Sequence, residues 1–162
     1  APLPEMDALC DWLPRSIPRG DDTSIIHGDF KLDNTIVHPT EPRIVAVLDW
    51  EISTLGHPLG DFTYLCTPWY PLGAFQSFDL GALGLPTLDE YAASYCRRTG
   101  RAPIDHFAWY QSFHLFRNAC ILQGILGRVR DGTASSEHAT TLASSVGPLV
   151  RTSFGIAKSL GM

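Results

Sequence analysis

The residues able to do chemistry crowd into His27-Gly28-Asp29-Phe30-Lys31-Leu32-Asp33-Asn34. Asp49 follows fifteen residues after that Asn, within Val47-Leu48-Asp49-Trp50-Glu51. Two carboxylates and an amide at these offsets suggest a metal-phosphate site. Mg²⁺ prefers hard oxygen ligands and shares them with phosphate, so an Asn and an Asp suffice without a full protein cage. Asp29 suits a general base that takes a hydroxyl proton. The same Gly-Asp pair also suits a plain turn.

Such a site requires Asn34 and Asp49 to become neighbours. Thr35-Ile36-Val37-His38 reads as a short strand, Pro39-Thr40-Glu41-Pro42 as a turn, and Arg43 to Leu48 as a second strand rich in β-branched residues. Folding that hairpin about Glu41 and Pro42 sets Asn34 opposite Asp49. Ser24-Ile25-Ile26 reads as another short strand, which delivers the loop that begins at His27.

The offset from Asp29 to Asn34 matches the protein-kinase catalytic loop, in which an Asp receives the substrate's hydroxyl proton and an Asn five residues on holds magnesium. With Gly56-His57-Pro58-Leu59-Gly60-Asp61 added, the chain resembles the aminoglycoside phosphotransferase and choline kinase superfamily, which shares the protein-kinase-like fold. Within it, the likeness is to kinase-like domains related to those fused to acyl-CoA dehydrogenases. Their strings recur almost letter for letter at residues 27–34 and 46–56. The resemblance runs from about Asp11 to the C-terminus, and it departs at His57, where it implies an Asp.

That resemblance implies an α+β, mostly helical fold and an ATP-dependent transfer of phosphate to the hydroxyl of a small molecule. Asp29 is then the base, and Asn34 and Asp49 hold Mg²⁺ on the nucleotide phosphates. Lys31 falls where Ser/Thr protein kinases carry a Lys near the transferred phosphate, where a cation offsets charge; its other reading is a solvent-exposed Lys. His27 is implied to pack and hydrogen-bond beneath the metal segment. Asp61 is implied to brace the catalytic loop from behind, although by itself it could cap a helix over residues 62–66. Trp50 and Glu51 replace the Phe-Gly of the protein-kinase motif, implying a constitutively formed site with no activation loop. For the acceptor, the nearer resemblance implies a hydroxyacyl-CoA and the wider superfamily aminoglycosides or amino alcohols.

At 162 residues with 44% hydrophobic content, the chain is long enough for one domain with a real core. Only 26 residues precede His27, with no G-x-G-x-x-G loop and no strand Lys of the V-A-I-K kind among them. The expectation is therefore that residues 1–162 form the large C-terminal lobe, without the nucleotide lobe. The net charge of −5 divides unevenly: residues 1–61 hold 11 acidic and 4 basic residues, and residues 62–162 hold 6 and 8. That balance tells against nucleic acid as a partner, and the basic second half does not suit a polycationic acceptor. Cys10, Cys66, Cys96 and Cys120 show neither C-x-x-C pairing nor metal spacing, as in a reducing, cytoplasmic setting. Neither a signal-peptide pattern nor an apolar run of membrane-spanning length occurs.

Elsewhere, helices are expected over residues 4–13, 88–98, 104–129 and 135–160, the last capped by Ser135 or Ser136. Residues 67–86 carry aromatics, Pro and Gly without a period; they read either as an acceptor-site wall or as a surface loop. In the long helix Gln111, His114, Arg117 and Asn118 share one face, which reads as a solvated stripe or as the polar lining of an acceptor pocket. Arg117 there would suit a phosphate or carboxylate. Two other functions compete with phosphotransfer: a non-catalytic kinase-like binding module, and a metallohydrolase built on His27, Asp29 and His38, which leaves the Asn-Asp pairing without a role.

Overall fold

Apolar residues at helical spacing become five helices in the computed structural model, which describes residues 3–20, 22–70, 72, 79–132 and 139–162, with side chains described for all of these but 139–143. The fold is α+β with small sheets. It divides into two compact units, residues 19–66 and residues 1–18 with 67–162.

The larger unit is helical. Helix α1 spans Pro4–Trp12, α3 Leu88–Thr99, α4 Phe107–Arg130 and α5 Ala139–Ser159. Its core joins Leu9 and Leu13 to Trp109, Leu115 and Ala119 of α4 and to Val146, Leu149, Val150 and Ala157 of α5. Burying each of the Leu and Val side chains among them stabilises the fold by about 1.5 to 3 kcal/mol. Two polar contacts fix the packing. Ser112 Oγ donates to Ser153 O at 3.0 Å while Ser153 Oγ donates back to Ser112 O at 2.8 Å, both residues being fully buried. The Trp109 indole donates to Ser16 Oγ at 2.9 Å, and that hydroxyl donates to Trp12 O.

Helix ends follow local chemistry. Thr87 and Glu90 form a capping box at the start of α3, and Gly100 closes it in the left-handed conformation, φ 68°. Helix α4 starts at Phe107, three residues later than expected, because His106 is left-handed at φ 59°. The expected caps Ser135 and Ser136 lie outside the described residues, as do 71 and 73–78 of the aromatic stretch. Within that stretch Trp69 donates to Pro86 O at 2.9 Å and stacks on Tyr91. Cys66 is buried, which pushes its thiol up to about 12 and leaves it unreactive.

The smaller unit contains helix α2, Leu59–Leu65, and two antiparallel strand pairs. Strand β1, Ser24–Ile26, pairs with β4, Thr54–Gly56, so that Ile25 lies opposite Leu55. These two side chains are 70% and 72% exposed. Strand β2, Thr35–Val37, pairs with β3, Ile44–Val47. The expected register is off by one: Thr35 faces Val47 and Ile36 faces Ala46, yet Val37 faces Ile44. A bulge absorbs Val45, and the Leu48 N–H donates to Asn34 O at 2.8 Å, so Asn34 meets Leu48 with Asp49 one residue beyond.

Candidate active site

Strand β1 ends by delivering His27, and three backbone devices shape the loop that follows. Gly28 sits at φ 84°, where a Cβ would lie 3.1 Å from Ile52 O, so both conformation and space require glycine. The Asp61 carboxylate of α2 accepts the His27 N–H at 2.6 Å and the Gly28 N–H at 2.9 Å. It therefore does not cap α2, as its sequence position allowed; it clamps the loop backbone. The N-terminus of α2 is served instead by His57, whose Nδ1 accepts the Leu59 N–H at 3.2 Å. An Asp at position 57 would accept the same N–H two residues on, which explains how the imidazole substitutes for it. The helix begins at Leu59, three residues before the expected start at residue 62, so that Gly60 and Asp61 lie inside it.

His27 is buried and ties the loop to the segment just past β3 that carries Asp49. Its Nδ1 accepts the Asp29 N–H at 3.2 Å, which assigns the ring hydrogen to Nε2, and Nε2 donates to Leu48 O at 2.7 Å. The Trp50 ring packs against it with centroids 4.8 Å apart. With both nitrogens engaged, His27 has no lone pair for a metal. Among the described residues no three His, Cys, Asp or Glu side chains gather as cation ligands, so the metallohydrolase reading has no cluster to stand on.

Asn34 is 9% exposed, and its amide nitrogen donates twice to Asp29, to the main-chain oxygen at 2.9 Å and to Oδ2 at 3.0 Å. Those two acceptors orient the amide and direct its carbonyl oxygen elsewhere. Lys31 Nζ lies 2.9 Å from the same Oδ2. Burial pushes the Asp29 carboxyl up, but hydrogen bonds from Lys31, Tyr64 and Asn34 outweigh it and leave the pKa below the usual carboxylate value. Lys31 is raised in turn, chiefly by its bond to Asp29. Asp49 is exposed and takes φ 66°, a left-handed conformation that few residues other than Gly, Asn and Asp tolerate. One amide oxygen and one carboxylate are hard donors that fit Mg²⁺ shared with phosphate oxygens.

The structure thus brings His27, Asp29, Lys31, Asn34 and Asp61 into one hydrogen-bonded network and sets Asp49 just past the residue that Asn34 pairs with. Sequence reasoning missed Tyr64, whose signal was its place one turn after Asp61. Arg117 and His114 belong to the other unit. There the solvated stripe fails at Gln111 and His114, which are 7% and 2% exposed. Asn118 Nδ2 donates to His114 Nε2 at 2.8 Å, and burial, then the Arg117 charge, pushes the imidazole pKa down to about 3.

Among the described residues no helix is long and apolar enough to cross a membrane. The chain is 45% identical over 143 residues to mouse acyl-CoA dehydrogenase family member 10, covering 85% of this chain and 13% of the relative. It is 37% identical over 163 residues to rat acyl-CoA dehydrogenase family member 11, covering 96% of this chain and 21% of the relative. The chain therefore spans about a fifth or less of the length of these curated relatives. A solved structure from Ralstonia eutropha, named for the aminoglycoside phosphotransferases, superposes with a TM-score of 0.88 at 48% identity. The match covers 98% of this chain and 50% of that one. The model of the phosphotransferase enzyme family matches residues 1–107, and with the loop and its clamp as described, the chain belongs to that family.

Proposed function

We propose that this chain is the C-terminal, large lobe of a kinase-like enzyme that transfers the γ-phosphate of ATP to a hydroxyl of a small molecule. The observation that carries this reading is the Asn34 amide bound to both the backbone and the carboxylate of Asp29, which couples a cation ligand to a base. In this reading Asp29 orients the acceptor hydroxyl and takes its proton as the new O–P bond forms. Asn34 and Asp49, at the site end of the β2–β3 hairpin, hold Mg²⁺ on the nucleotide phosphates, and the bound cation neutralises charge there. Lys31, at hydrogen-bonding distance from Asp29, turns to the transferred phosphoryl group.

A hydroxyacyl-CoA suits the acceptor role better than an aminoglycoside. The two mammalian relatives carry acyl-CoA dehydrogenase names, and the basic balance of residues 62–162 favours an anionic ligand over a polycation. Arg117 is the proposed contact for a phosphate or carboxylate of that ligand, with His114 and Asn118 backing the same helix face.

The test is phosphate transfer by the full-length protein with Mg·ATP across hydroxyacyl-CoA and aminoglycoside panels. A hydroxyacyl-CoA should raise ATP turnover, and Asp29→Ala should lower it about a hundredfold or more. Turnover that survives this substitution removes Asp29 from the role of base.

A further inference from the structure

Helix α3 and the chain that leaves it line a pocket of about 490 Å³, a volume within the range of small-molecule sites. Its first wall is one face of α3, on which Asp89, Ala92, Ala93, Cys96 and Arg97 fall at spacings of three and four. Small side chains at 92 and 93 leave a hollow that larger ones would fill. The second wall is the connection to α4. Gly100 at φ 68° turns the chain back, the Arg101 N–H donates to Cys96 O at 3.0 Å, and Pro103, Ile104 and Phe107 follow along the pocket. We propose that this pocket binds a small amphipathic anion, a medium-chain monocarboxylate, with its carboxylate on Arg97 and Arg101 and its chain over Ala92, Ala93 and Cys96. The site does not depend on the phosphotransferase reading.

The charges along the pocket give the ligand a direction. Asp89 stands in the first turn of α3 and Arg97 in its last, about 12 Å apart at the helical rise of about 1.5 Å per residue. Arg101 brings a second guanidinium to the arginine end, because its backbone is tied to Cys96. Planar forks of N–H donors suit a carboxylate, which accepts in the same plane. Between the two ends the lining is apolar, with Cys96 buried and Ile104 and Phe107 half-buried across from it. Asp89 repels a second anion at the far end, so a dicarboxylate of equal length is the poorer ligand. Arg97 and Arg98 both complement the α3 dipole, which accounts for their place in the last turn. Of the two, Arg97 alone lines the pocket.

The experiment is calorimetric titration of the full-length protein with octanoate, repeated with octanol and octanedioate and with the variants Arg97→Gln and Ala93→Leu. Both positions are exposed, so each variant should keep its melting temperature. Octanoate should bind about tenfold or more tightly than octanol or octanedioate. Arg97→Gln should raise the octanoate Kd roughly tenfold, and Ala93→Leu should remove binding by filling the space. Iodoacetamide labelling read by mass spectrometry locates the ligand: octanoate should slow the labelling of Cys96 and leave that of the exposed Cys10 unchanged. Absence of binding, equal affinity for octanol or octanedioate, an octanoate affinity that neither substitution alters, or a Cys96 labelling rate that octanoate leaves as it was, overturns the assignment.

Discussion

Asp61 holds His27 across 34 positions of sequence: its Oδ2 accepts the His27 N–H at 2.6 Å while Oδ1 takes the next amide. An Asn at 61 would keep one acceptor and turn an NH₂ towards the other amide. The expected cost is about 2 kcal/mol of stability, together with at least a tenfold fall in kcat because the loop is displaced. Urea denaturation paired with initial rates checks both. A variant with unaltered kcat would show that the clamp is dispensable for activity.

Asn34→Ala removes two hydrogen bonds to Asp29 and the amide oxygen proposed for the cation. The Mg²⁺ concentration for half-maximal rate should rise roughly tenfold, the equivalent of about 1.4 kcal/mol. A magnesium titration at saturating ATP decides this, and a curve that stays in place argues that Asn34 is only a loop brace.

His114 makes the protein sensitive to acid. Its folded pKa of about 3 lies below that of an unfolded His, so between the two only the unfolded state takes the proton. Stability should accordingly fall as pH drops below about 6.5, by about 2 kcal/mol from pH 7.5 to 5 from this residue. Denaturation curves at those two pH values, compared with His114→Gln, isolate the contribution. Equal pH slopes for both proteins would contradict it.

The Ser112 and Ser153 hydroxyls satisfy each other's backbone between α4 and α5. Ser112→Ala leaves a buried Ser153 with one partner fewer, and should cost about 1 to 2 kcal/mol. Adding Ser153→Ala should cost less than a second such step, since both polar groups are then gone. Melting of the two single variants and the pair tests this; strictly additive losses would go against the reciprocal bond.

Much of this was legible in sequence, for identifiable reasons. Thr87 with Glu90, and Gly100 beyond them, announce α3 because capping is local chemistry. The hairpin turn was legible as well, but its register was not: a bulge at Val45 depends on how the strands twist against each other, and no residue type marks it. Strand β4 went unread because Thr54-Leu55-Gly56 is three residues ending in glycine, and its partner lies about 30 positions earlier. Gln111 and His114 have the spacing of a wet helix face, and buried polar residues show the same spacing. Telling the two apart requires knowing what packs on α4. Tyr64 stayed hidden in an apolar run until Asp61 was seen to aim that helix at the loop.

Ile25 and Leu55, opposite each other on β1 and β4, project two aliphatic side chains from one side of a two-stranded ribbon. Such a pair gives the surface an adhesive spot. The chain expressed by itself should bind a hydrophobic dye and self-associate as it is concentrated, and threonine at both positions should reduce each effect while leaving the loop chemistry intact.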